Sequence, residues 1–226
     1  MLRAVDTEPG DYEAISALDF EVYRPGRMGL KAYKPNGEWV PLHRSTNTMK
    51  KGAIPFTDTI QRLSDQAGDY NYALVEKYDH RYRTMGYHSD CCFDSEADST
   101  ISVLSLYPNK NVPPRRLVIK NKVTEEVAEV PMKHGHVIQL SYEFNRNHLH
   151  KIVGESDWIG LTFAKTKTFI KFVDGTPFFE DGTKLTMATK QESQEFRKTR
   201  SKENSSSHVL DYPSLTYTIS EGDLLM

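Results

Sequence analysis

Four short runs in which apolar and small polar residues alternate constrain this chain more than any other feature: Ser99–Leu106, Arg116–Lys120, Val137–Tyr142 and Trp158–Phe163. Successive side chains of a strand point to opposite faces of a sheet, so a period of two predicts strands. Pro35-Asn36-Gly37 is a strong turn signal and predicts a hairpin between Leu30–Tyr33 and Trp39–Leu42. Helical patterns are fewer. Tyr12–Leu18 is a short amphipathic segment, and Pro55–Ala67 sets Phe56, Ile60 and Leu63 on one face with Gly68 at its end. This second helix is expected on the outside of the β core. Thr189-Lys-Gln-Glu192 has capping-box spacing and opens a charged helix to about Glu203, and Tyr217–Ser220 is predicted to add an edge strand. The expected fold class is mainly β with flanking helices.

Among these strands lies His88-Ser89-Asp90. Residues two apart share a strand face, so this imidazole and this carboxylate can reach one ion. Two histidines and one carboxylate on one side of an octahedral iron, with the opposite positions open, define the facial triad of non-haem Fe(II) oxygenases. A third ligand is available at His150, with His148 as its competitor; on a strand both share a face, so spacing alone does not separate them. Several short strands intervene between Asp90 and either histidine. A double-stranded β-helix, the jelly-roll or cupin-like core, gathers ligands in this way from strands distant in sequence.

The runs Asn71–Tyr78 and Met85–Asp90 resemble the core of the AlkB-like family of Fe(II)- and 2-oxoglutarate-dependent dioxygenases, in which a strand ending in a tyrosine leads through a short loop to the metal-binding pair. The resemblance continues through Ile101–Leu106, Arg115–Lys122, Val130–Leu140, His148–Ile152 and Ile159–Phe163, with a weaker upstream match over Arg27–Leu42. It implies that His88, Asp90 and His150 bind iron and form the catalytic centre, that Tyr78 contacts the co-substrate, and that 2-oxoglutarate and O2 are consumed. It also implies a substrate, an N-alkylated nucleobase in DNA or RNA that is hydroxylated or demethylated. Trp158 and Ala164 stand where the family carries two arginines, the first of which pairs with the distal carboxylate of 2-oxoglutarate. A dicarboxylate in a dry pocket needs a cation. Lys165 is the nearest substitute and Lys167 the next, with a bulge required to turn them inward; otherwise both are solvated strand lysines. Arg83 and Arg116 are further candidates. Tyr23–Tyr33, aromatic and basic, with Trp39 beyond it, would form either a lid that stacks a flipped base or an ordinary hydrophobic hairpin. The alternative functions are an oxygenase acting on a protein side chain or small molecule, and a non-catalytic binding module with a degenerate co-substrate site.

Composition fits one domain. At 226 residues and 38% hydrophobic the chain can bury a single substantial core. Residues 1–55 are expected to form an N-terminal, substrate-facing segment, 56–173 the β-helix core, and 174–226 a C-terminal extension that covers the active site, docks a partner or, by default, braces the barrel. A net charge of −2 excludes a globally basic nucleic-acid binder, although Lys110–Lys122 and Arg197–Lys202 are local basic clusters. Met1–Glu8 lacks the apolar core of a signal peptide, and no run approaches the roughly 18 apolar residues of a membrane span. Cys91 and Cys92, adjacent and just after Asp90, suit packing in a reducing compartment. An intracellular protein, cytoplasmic or nuclear, is expected; oligomeric state is not legible.

Overall fold

The structure, a computed structural model, describes residues 1–207 and 215–226; the stretch 208–214, where the polar C-terminal tail begins, lies outside the described residues. Its strands are β1 (Leu2–Ala4), β2 (Glu21–Arg24), β3 (Arg27–Tyr33), β4 (Trp39–Pro41), β5 (Ile54–Pro55), β6 (Tyr72–Tyr78), β7 (Thr100–Leu106), β8 (Arg116–Asn121), β9 (Val127–Pro131), β10 (His136–Ser141), β11 (His148–Val153), β12 (Trp158–Ala164), β13 (Phe169–Val173), β14 (Thr176–Phe179), β15 (Thr186–Met187) and β16 (Tyr217–Thr218). The helices are α1 (Asp11–Ser16), α2 (Asp58–Ala67), α3 (Tyr142–Asn147) and α4 (Lys190–Ser205), with a last 3-10 turn at Glu221–Leu224. The fold is mainly β with flanking helices.

The largest sheet runs β1-β10-β7-β12-β6-β3-β2, antiparallel throughout, with β5 added in parallel beside β3. A second antiparallel sheet runs β11-β8-β9. On the free side of β11 the segment carrying His88 joins it through bridges at Thr84–Val153 and His88–His150. A third sheet, β14-β13-β4, and the parallel pair β15-β16 complete the framework.

Each long strand of the main sheet divides its side chains between two cores. Ile159, Leu161 and Phe163 of β12 join Leu104, Leu106, Ala73 and Val75 on the outer face, against Ile15 of α1 and Ile60, Leu63 and Ala67 of α2. Helix α2 starts where the Thr57 side chain accepts the Ile60 N–H and ends before Gly68, as its periodicity predicts. The inner face presents Val103, Ile138, Leu140, Tyr78 and Trp158 to Leu117, Ile119 and Ile152 of the second sheet. Both faces of the central strands are therefore covered, which is why these runs carry so few charges.

Two expectations need correction. The turn at Pro35-Asn36-Gly37 forms, with Gly37 at φ 59°, yet the chain beyond it does not fold back on β3. One edge of β3 is taken by β6 and the other by β2 and β5, so β4 pairs instead with β13. The run Val137–Tyr142 is strand only as far as Ser141, because Tyr142 opens α3; the Ser141 hydroxyl caps this helix by accepting the Phe144 N–H. The expected C-terminal helix and its capping box are present, and the predicted edge strand is confined to β16.

The C-terminal segment is tied to the β core by a buried ion pair. Arg44 donates from Nε and Nη2 to the Asp94 carboxylate, at 2.7 Å for the closest contact, and from Nη1 to the carbonyls of Leu215 and Tyr217. Its guanidinium lies over the Phe93 ring at 4.5 Å from the centroid. Removing one partner strands a buried charge, so Asp94→Ala should lower unfolding free energy by about 3–5 kcal/mol, read from the urea midpoint.

Candidate metal centre

His88 and His150 face each other because their backbones pair: His150 donates its N–H to the His88 carbonyl at 2.7 Å, and His88 returns the bond at 3.0 Å. The two rings stand 4.5 Å apart between centroids. Asp90 completes the group, with Oδ1 at 3.8 Å from His88 Nε2 and Oδ2 at 3.6 Å from His150 Nε2. One ligand atom from each of the three residues lies within 4.8 Å of the others, the only such group among the described residues.

Hydrogen bonds set the donor atoms. His88 donates Nδ1–H to the Gly86 carbonyl at 3.1 Å, which leaves the Nε2 lone pair facing the cluster. Asp90 Oδ2 is buried and accepts no hydrogen bond from the protein. An orphaned, buried carboxylate oxygen between two imidazoles fits a divalent cation. His150 is the most enclosed ligand, and burial pushes its pKa down to about 4 despite the opposing pull of Asp90. It is thus neutral, the form a metal needs.

His148 is separated from this group by its own contacts. Its Nδ1 donates to the Phe144 carbonyl at 2.9 Å, its Nε2 accepts from Asn121, and its ring stacks on Phe144. Standing where α3 passes into β11, it turns back onto the helix. His150 is the histidine placed with His88 and Asp90.

Residues that sequence reasoning missed hold the metal-binding segment from outside. Asn145 of α3 accepts the Asp90 N–H and donates to the Asp90 carbonyl, a two-point clamp at 2.8 and 3.0 Å. Ser89 points its backbone away from β11, where Asn204 of α4 accepts its N–H at 2.9 Å and Arg200 donates to its carbonyl at 2.7 Å. Helix α4 thus replaces the strand this edge lacks. Nothing in a charged helix some 110 residues downstream signals that task.

A cavity of about 560 Å³ opens on the three ligands. Ile101, Val103, Leu117 and Ile152 form an apolar part of its wall, while Tyr82, Tyr87, Arg24 and Arg197 also line it. Lys165 is not part of it. Its amine bonds Asp69 at 2.6 Å and lies 3.3 Å from Glu96, so the expected co-substrate cation is committed elsewhere. Strict alternation along the chain after β12 turns it away, and no bulge reverses this. Lys167 is exposed, and Arg83 and Arg116 pair with Glu155 and Glu129 at the surface. Tyr78 also differs from expectation: it lies behind the cavity wall and donates its hydroxyl to Glu76 at 2.8 Å. Trp158, one of the two residues at the family's arginine positions, is packed on Tyr78, and a Cβ on Gly160 would run into its indole. Ala164, the other, lines the cavity.

Two arginines in the wall are buried, and each is paired. Arg27 donates from Nε and Nη2 to Glu76 Oε1 at 2.8 and 2.5 Å. Burial, the largest single influence, would lower its pKa, but the charge and hydrogen bond of Glu76 together with Tyr78 and Tyr82 raise it. Arg200 contacts Glu203 besides Ser89. Cys91 lines the cavity and Cys92 accepts from Asn145; burial pushes both thiols up, Cys91 to about 12, so both are inert packing groups at neutral pH. The segment Tyr23–Tyr33 forms the β2-β3 hairpin, and its Arg24 and Arg27 reach the cavity. No helix among the described residues is long and apolar enough to cross a membrane. No protein-family model matches the chain, and no curated protein matches it.

Two outcomes follow from the ligand geometry. Asn145→Ala should weaken divalent metal affinity about 10–100-fold with the three ligands intact, measured by calorimetric titration. In the unfolded chain His150 titrates near 6.5, so unfolded molecules take up the proton first as pH falls. Metal-free protein should therefore lose on the order of 3 kcal/mol from this group between about pH 6.5 and 4. His43, half-buried and with its pKa also lowered by desolvation, adds a loss of the same sign. The comparison is consequently with His150→Phe, whose urea stability should depend less on pH across that window.

Proposed function

We propose that this chain is an Fe(II)-dependent oxygenase of AlkB-like type that uses a 2-oxo acid and O2 to oxidise a substrate C–H bond. The observation that carries the proposal is the convergence of His88, Asp90 and His150 with a buried Asp90 oxygen left unpartnered. Strand order supports a double-stranded β-helix as the core. In the main sheet β6-β12-β7-β10 are neighbours, and facing them the His88 segment, β11, β8 and β9 follow one another, so the chain alternates between two sheets of four except at the β8-β9 hairpin, which stays within one sheet.

Iron bound with a 2-oxo acid supplies oxidative decarboxylation, in which one oxygen atom enters the carboxylate of the shortened acid, the other enters the substrate C–H bond, and carbon dioxide leaves. The protein's task is positioning and dryness. His88 offers Nε2 because Gly86 holds Nδ1–H; Asn145 fixes the backbone of Asp90; burial keeps His150 neutral. The apolar residues Ile101, Val103, Leu117 and Ile152 limit water around the ligands. Tyr82 and Tyr87 in the wall, with exposed Arg24 and Arg197, suit an aromatic base joined to phosphates, so an N-alkylated nucleobase in DNA or RNA is the proposed substrate. The second carboxylate of 2-oxoglutarate does not find a buried cation free to receive it, which favours, as a second reading, a binding module without turnover.

Anaerobic titration of Fe(II) followed by a 2-oxo acid should develop the weak visible charge-transfer band of the chelate. His88→Ala and Asp90→Ala should abolish metal binding, whereas Lys165→Ala should leave co-substrate affinity unchanged. Metal binding without a chelate band for any 2-oxo acid would establish the second reading. A band without differential binding of methylated and unmethylated oligonucleotides would move the substrate to a protein side chain or small molecule.

A further inference from the structure

The Arg27–Glu76 pair lies in the wall of the metal cavity and is buried. Arg27 is 8% exposed and Glu76 6%. Oε1 of Glu76 takes both Nε–H and Nη2–H of Arg27, and Oε2 takes the Tyr78 hydroxyl. The remaining guanidinium nitrogen, Nη1, donates to Tyr82 at 3.3 Å. The rings of Tyr23, Tyr78 and Tyr82 pack around the guanidinium at 5.3–5.7 Å. A buried arginine of the cavity wall, the kind of cation a ligand carboxylate needs, therefore already carries a carboxylate of the protein's own.

We propose that Glu76 sets the co-substrate class, so that the site takes a 2-oxo acid with one carboxylate and an apolar tail in preference to the diacid 2-oxoglutarate. The inference rests on the oxygenase reading above. A second carboxylate brought to Arg27 would meet Glu76 in a dry wall, where two carboxylates share one cation poorly. The other buried arginine of the cavity, Arg200, is held by Glu203 and Ser89. Trp158 and Ala164 supply no charge, and Lys165 is turned away to Asp69. Beside the metal ligands and uncharged polar residues such as Thr46, Asn47 and Thr162, the interior offers Ile101, Val103, Leu117 and Ile152, each no more than 7% exposed. An aliphatic tail buries against these residues at no electrostatic cost.

The test is anaerobic titration of the Fe(II)-loaded protein with 2-oxoglutarate and with 2-oxoisocaproate, reading dissociation constants from the chelate band. Wild type should bind 2-oxoisocaproate at least about tenfold more tightly than the diacid, a comparison that needs no variant. Glu76→Gln keeps the side-chain volume, frees Arg27 and should shift that ratio toward 2-oxoglutarate by at least about tenfold, with a thermal melt confirming the fold. Equal or tighter binding of 2-oxoglutarate by wild type overturns the proposal. So does a ratio unchanged in Glu76→Gln, or a diacid affinity that collapses in Arg24→Ala or Arg197→Ala, which would assign the distal carboxylate to an exposed arginine. Absence of a band with either acid, with metal bound, overturns the oxygenase reading and this inference with it.

Discussion

Two backbone hydrogen bonds between His88 and His150 are what the site depends on. Residues 62 apart in sequence become direct neighbours through them, and because Asp90 is two residues further along an extended segment its carboxylate arrives on the same side. Without that pairing the H-x-D segment would be a surface loop. The rest of the architecture supports this contact from two directions: β11 is held in the second sheet by β8, while the far edge of the His88 segment is held by side chains of α4, and Asn145 of α3 clamps the backbone of Asp90.

Charge buried in pairs is the second organising constraint. Arg44–Asp94, Lys31–Asp223 and Arg27–Glu76 are nearly inaccessible to solvent, and each links segments far apart in the chain. Such pairs contribute modest net stability, since desolvation offsets most of the attraction, but they penalise any arrangement that separates the partners. Arg44 and Lys31 thereby fix the C-terminal residues against the core. Arg27 does something different, because its partner occupies the wall of a cavity and not merely the interior of a fold.

The main strands and the long helices were legible because local rules govern them. Period-two runs marked β7, β8, β10 and β12, a 3.6-residue period marked α2, and Thr189 with Glu192 marked the start of α4. His88 and Asp90 were legible for the same reason, since sharing a strand face is a local property. Between His148 and His150 spacing could not decide; the difference lies in where α3 ends, which turns one ring onto Phe144. Lys165 was misplaced because proximity in sequence stood in for direction, and alternation sends it to Asp69. Asn145, Arg200 and Asn204 left no trace, because their roles exist only once distant elements meet. The β4 partner was misjudged likewise: whether an edge of β3 is free is a question about the whole sheet.

The grip of α4 on Ser89 has a consequence for biosynthesis. All three ligand residues have been translated by position 150, yet the helix that shields the exposed side of the central segment arrives some fifty residues later. Until then that segment offers an open ladder of amides to any passing extended chain. A nascent protein stalled before α4 would thus carry every atom of the metal centre while the Ser89 N–H and carbonyl still lack the partners that α4 supplies.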